Sequence, residues 1–104
     1  LTATNNETVA RLQCPPGLSI VVWIPDNKTS TNLSRSSLPS SVSFDDAVNA
    51  VGRSSLLVAA IASGDLEAMR AACHDDLHQP ARLANSPDSA EAIEAMVTRC
   101  AQMA

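Results

Sequence analysis

Two spots in the sequence carry residue types at spacings that could do chemistry: Thr31-x-x-x-Arg35 and His78-Gln79-Pro80-Ala81-Arg82. If residues 31–38 are helical, Thr31 and Arg35 share a face, one turn apart. A guanidinium presents a rigid fork of N–H donors that matches a carboxylate or phosphate through two parallel hydrogen bonds. Two such arginines, each in a loop near a strand or helix end, could close on one small anion. The competing reading pairs each arginine with a nearby aspartate at the surface, and composition alone favours it.

Other reactive groups carry less. Cys14, Cys73 and Cys100 are odd in number and widely spaced, which suits neither a disulfide framework nor a zinc site. Cys73 and His74 are adjacent, and neighbours on a helix point about 100° apart, so they do not form a nucleophile and its base. The cysteines read as small hydrophobes. Asp75-Asp76 near His78 is a metal candidate, but acidic residues at a helix end are usually solvated, and no metal is assigned. Glycines 17, 52 and 64 are isolated, so the chain has no Gly-rich phosphate loop. No catalytic residue is assigned. Three Asn-x-Ser/Thr triplets, at Asn6, Asn27 and Asn32, read as by-products of a Ser/Thr/Asn-rich composition. A reducing cytosol, or a plastid-like compartment, fits better than secretion.

The elements that must position these groups are bounded by composition. At 104 residues, 45% hydrophobic and 17% charged, the chain reads as part of a single globular domain and not as a disordered tail. A net charge of −4 with only 7 Lys plus Arg argues against nucleic acid or an anionic membrane as partner. No apolar run approaches the roughly 20 residues of a bilayer span, and no signal-like segment opens the chain. Aromatics are only 2%, Trp23 and Phe44, so part of the core is expected to lie outside these residues.

Along the chain, two weak strand arms flank a turn candidate at Asn5-Asn6-Glu7, and Cys14-Pro15-Pro16-Gly17 breaks the chain. Leu18–Ile24 is β-branched and almost continuously apolar, which predicts a central strand covered on both faces. A short helix over Thr31–Leu38 is expected inside the polar stretch that follows, capped by Ser30 or Thr31. Ser43, with Asp46 three residues on, opens a long helix with Phe44, Val48, Val51, Leu57, Val58 and Ile61 on its apolar face, and Gly64 stops it. Asp65 caps a second helix from Leu66 to about Asp75, with Leu66, Met69 and Ala72-Cys73 inward. A proline-marked loop follows through Arg82. Ser86-Pro87 then opens a third helix with Ile93, Met96, Val97, Cys100 and Met103 as its stripe.

Several segments together resemble the homoserine kinase family of the GHMP small-molecule kinases. They are Ile24-Pro25-Asp26, Ser30-Thr31-Asn32-Leu33-Ser34-Arg35-Ser36-Ser37-Leu38-Pro39 and Asp46-Ala47-Val48 through Arg53. They continue with Leu56-Leu57-Val58-Ala59-Ala60 followed by Gly64-Asp65, and Asp75-Asp76-Leu77-His78-Gln79-Pro80-Ala81-Arg82. Five motifs in order span about residues 15–83. The chain departs from the family at Ala50, where an Asn is usual, and at Ala81, where an aromatic or polar residue is frequent.

The resemblance implies an α+β fold: residues 1–104 as part of a ferredoxin-like C-terminal domain, strands followed by three helices. The family's N-terminal ATP-loop domain and final Gly-rich loop are expected outside the chain. It implies transfer of the ATP γ-phosphate to the hydroxyl of L-homoserine in threonine biosynthesis. Thr31, Arg35 and Arg82 match positions beside bound homoserine, with the two arginines on its carboxylate, and His78 and Gln79 support the Arg82 loop. ATP and Mg2+ would be held mainly by parts not in these residues, and the chain alone is expected to be inactive. A cytoplasmic (or plastid) enzyme, with a homodimer open, completes the expectation. The alternatives are another GHMP-family kinase or a non-catalytic α+β binding module derived from one.

Overall fold

The computed structural model describes residues 2–4, 7–26 and 31–103. Two short strands, β1 (Thr2–Thr4) and β2 (Val9–Arg11), pair antiparallel with Ala3 opposite Ala10. Five helices follow: α1 (Thr31–Ser36), α2 (Phe44–Ser63), α3 (Leu66–Ala72), α4 (Gln79–Ala84) and α5 (Pro87–Met103). The described chain is therefore α-rich with one small hairpin. The two weak strand arms form as the sequence predicts, although Asn5 and Asn6 of the expected turn lie outside the described residues.

Local signals set the long helices. The Ser43 hydroxyl accepts from the Asp46 N–H at 3.1 Å, satisfying one of the donors that every helix start leaves open. At the other end Gly64 takes the left-handed conformation, φ 71°, where a Cβ would be strained. The Asp65 N–H then reaches back to the Ala60 carbonyl at 2.9 Å, and the Asp65 carboxylate accepts from the Ala68 N–H at 2.9 Å to start α3. One residue pair thus closes α2, turns the chain and opens α3, so the two helices pack as a hairpin. The buried side chains among the described residues are Ala60 on α2 and Ala72 on α3. Alanine at such places lets helix backbones approach closely.

Four expectations are corrected. Leu18–Ile24 is not a strand, and its side chains are exposed, with Ile20 at 82% and Val21 at 80%. A central strand needs a ladder on both edges, and the described strands pair only with each other. The second helix stops at Ala72, with Cys73 as its C-cap, instead of reaching Asp75. The proline-marked loop contains helix α4, which admits Pro80 because a first-turn N–H has no intrahelical acceptor anyway. Among the described residues the helices number five, not the three long ones and one short one expected.

Most of the apolar stripe on α2 is also uncovered. Leu57 and Ile61 are partly covered, while Phe44, Val48, Val51 and Val58 are exposed. On α3, Met69 is partly covered, whereas Leu66 and Cys73 are exposed. On α5, Ile93, Met96 and Val97 face outward. The whole chain exposes 8581 Å², where a compact protein of its size exposes about 5,600 Å².

Candidate functional site

The best-built polar region is the turn from Cys73 to Gln79, which launches α4 and its Arg82. Asp75 organises it. One carboxylate oxygen accepts from the backbone N–H groups of His78 (2.6 Å) and Gln79 (2.9 Å), the donors that the start of α4 leaves unpaired. Gln79 answers: its Oε1 accepts from the Asp75 N–H at 3.3 Å, and its Nε2 donates to the Cys73 carbonyl at 3.1 Å. The imidazole of His78 lies 3.7 Å from the same carboxylate. The Arg82 N–H then donates to the His78 carbonyl at 3.0 Å, so the backbone that carries Arg82 hangs one turn below the cap.

Asp76 faces the other way, toward α2. Its carboxylate accepts from Arg53 Nη1 at 2.6 Å, and its second oxygen lies 3.0 Å from His74 Nε2. Both aspartates are held below their ordinary titration range. At Asp75 slight burial pushes the carboxyl up, but the N–H groups of His78 and Gln79 and the nearby His78 ring outweigh it. At Asp76 the hydrogen bond from Arg53 leads, with His74 adding to it. Beside this turn runs a cleft of about 420 Å³ lined by Ala50, Arg53, Leu57, His74, His78 and Gln79 among others.

The sequence missed Arg53, although a signal was present. Arg53 lies eleven residues before Gly64, and Asp76 lies eleven after Asp65. A helical hairpin that folds at Gly64-Asp65 brings residues equidistant from its corner together. The acidic pair, read as solvated or metal-binding, instead divides into a helix cap and an ion pair. Among the described residues no three His, Cys, Asp or Glu side chains gather as a metal site.

The predicted anion-binding residues sit on two separate elements. Thr31 and Arg35 are on α1, and Arg82 is in the last turn of α4. Those two helices are not among the closely packed pairs, which are β1 with β2, α2 with α3 and α4 with α5. Arg35 and Arg82 are exposed, and neither guanidinium meets a carboxylate among the described residues. The surface aspartate pairing that composition favoured is therefore not what these two arginines make there. Ser30, the other candidate cap of α1, lies outside the described residues.

Comparison with known proteins bears out the resemblance. The chain is 47% identical over 85 residues to a homoserine kinase of Moorella thermoacetica, covering 82% of this chain and 29% of that protein. A homoserine kinase of Thermus thermophilus is 45% identical over 80 residues, 77% of this chain and 27% of its own length. One of Caldicellulosiruptor bescii is 43% identical over 74 residues, 71% of this chain and 24% of its own. The chain thus spans less than a third of the curated relatives it matches. No family model matches it. No solved structure matches it significantly.

Proposed function

From that match we propose that this chain is part of a homoserine kinase, an enzyme that moves the ATP γ-phosphate to the side-chain hydroxyl of L-homoserine. The identity of 47% over 82% of the chain carries the reading. We place Thr31, Arg35 and Arg82 at the amino-acid subsite, with the two guanidinium forks on the substrate carboxylate. Their exposure and their freedom from carboxylate partners among the described residues support this, because an arginine already paired has no fork to offer. Holding the carboxylate at one end fixes where the hydroxyl lies at the other, which is how a positioned substrate reacts faster than a freely diffusing one.

His78 and Gln79 support the site by building the turn, His78 through its backbone and Gln79 through both of its side-chain hydrogen bonds. The described residues do not fit Mg2+-ATP. They have no Gly-rich loop and no cluster of acidic ligands. On this reading the phosphate end of the reaction belongs to sequence of the kind the longer relatives carry beyond the matched segment, and these 104 residues by themselves are expected to be inactive. The uncovered apolar segment Leu18–Ile24 suits a strand of a ferredoxin-like layer completed by such sequence. No helix among the described residues is long and apolar enough to cross a membrane. The cytoplasm (a plastid in a plant or alga) and a homodimer are the setting proposed.

The test uses the longest natural polypeptide that contains this sequence. Arg82→Ala is expected to weaken homoserine binding by several kcal/mol, the cost of leaving a desolvated carboxylate unpaired, with ATP affinity unchanged. Equal loss of both ligands in calorimetry overturns the assignment. Arg35→Lys is expected to be damaging too, since an ammonium cannot reproduce the fork, and normal kinetics would remove Arg35 from the subsite.

A further inference from the structure

We propose that Arg53 is a positioning residue for Arg82, acting through Asp76. The inference rests on the proposed carboxylate role of Arg82. Helices α2 and α3 pack as one pair and α4 and α5 as another, and the turn over residues 73–78 is the link between the pairs. Such a link is a hinge unless something ties it. The Arg53–Asp76 hydrogen bond is that tie, joining α2 to the turn across 23 residues at 2.6 Å. The other side-chain hydrogen bonds of α2, α3, the turn and α4 join residues at most six apart. They shape the turn locally, Gln79 bracketing it from the α3 C-cap to the start of α4, and none of them joins α2 to the turn.

The path from the tie to the arginine is short. Asp76 is fixed to α2; its neighbour Asp75 holds the N–H groups of His78 and Gln79; and the His78 carbonyl receives the N–H of Arg82. A shift of Asp76 relative to α2 therefore moves the first turn of α4 and the base of the Arg82 side chain with it. Bidentate recognition depends steeply on placement, and an error of about 1 Å can cost a factor of a hundred. Arg53 and Asp76 are both only partly exposed, at 32% and 27%, which protects the pair from full solvent screening.

The experiment again uses the longest natural polypeptide, with homoserine and ATP affinities measured separately by calorimetry. Arg53→Gln and Asp76→Asn are each expected to weaken homoserine binding roughly tenfold with ATP affinity held within about twofold, a smaller loss than for Arg82→Ala. The reversed pair, Arg53→Asp with Asp76→Arg, is expected to recover most of the loss, which a merely lost surface charge would not. Unchanged homoserine affinity in the single variants, beside a weakened Arg82→Ala, overturns the positioning role and leaves the subsite standing. Normal homoserine binding by Arg82→Ala overturns the subsite and the positioning role together. If the single variants are insoluble, the reversed pair decides. Restored homoserine binding supports the tie, and a pair that does not bind homoserine overturns it.

Discussion

Leu18–Ile24 and Cys73–Ala84 fare in opposite ways. The first is apolar and β-branched, yet it takes no regular structure and leaves Ile20, Val21 and Ile24 at 80% exposure or more. The second is polar, contains a proline, and is fully organised. The difference lies in where each finds its partners. Asp75 reaches its acceptor role within four residues, and Gln79 closes the bracket within six. A strand has no such local option, because its N–H and C=O groups point sideways to other strands. Apolar character by itself does not order a segment. A partner within reach does.

The largest expected effect would break this comparison outright. In the chain as given, the amides of residues 18–24 should exchange with solvent at nearly the rate of an unfolded peptide. In a longer polypeptide of the relatives' length, they should slow by a factor on the order of a thousand, while the amides of the α2–α3 corner change far less. Hydrogen exchange read by mass spectrometry decides it, and protection of 18–24 in the short chain would show that the segment finds its partner locally.

Next come the local devices. Asp75→Ala should cost about 1–2 kcal/mol and unwind α4 selectively, because two helix-start N–H groups lose their acceptor together. Gly64→Ala should cost about 1 kcal/mol through its left-handed backbone. Crowding adds nothing there, since the nearest atoms to the new Cβ would be those of Pro15 at 3.9 Å. Thermal melts of the helical dichroism check both.

Acid should act on the second region alone. Asp75 and Asp76 titrate below their ordinary value of 3.8 when the turn is formed, so the turn is favoured wherever they are ionised. That contribution is complete above the unfolded value and is lost as the pH falls through the lower folded values. The turn should therefore hold from neutrality down to about pH 4 and loosen below it, followed as the chemical shifts of the His78 and Gln79 amides. A loosening already well above that range would mean that the two aspartates do not hold it. The smallest effect belongs to Val21→Thr, which at 80% exposure should leave the short chain's melt within about 0.5 kcal/mol. A larger loss would mean that the segment already packs.

The site was half legible. Arg35 and Arg82 stood out by type and spacing but took their proposed role only from the family resemblance, and His78-Gln79-Pro80 marked a turn. That Asp75 caps α4 while Asp76 pairs with Arg53 was not readable, because adjacent aspartates look alike until the backbone sends one toward each neighbour.

What the sequence determined by itself is a set of helix ends whose causes lie within about one helical turn. Ser43 starts α2, Gly64 stops it, Asp65 starts α3 and Ser86-Pro87 opens α5, because caps act on donors and acceptors only three or four residues away. The tertiary structure alone decided that Leu18–Ile24 stays unpaired and that Arg53 meets Asp76. A strand ladder and an ion pair across 23 residues both depend on chain brought from elsewhere, and its arrival is fixed by the packing of whole elements.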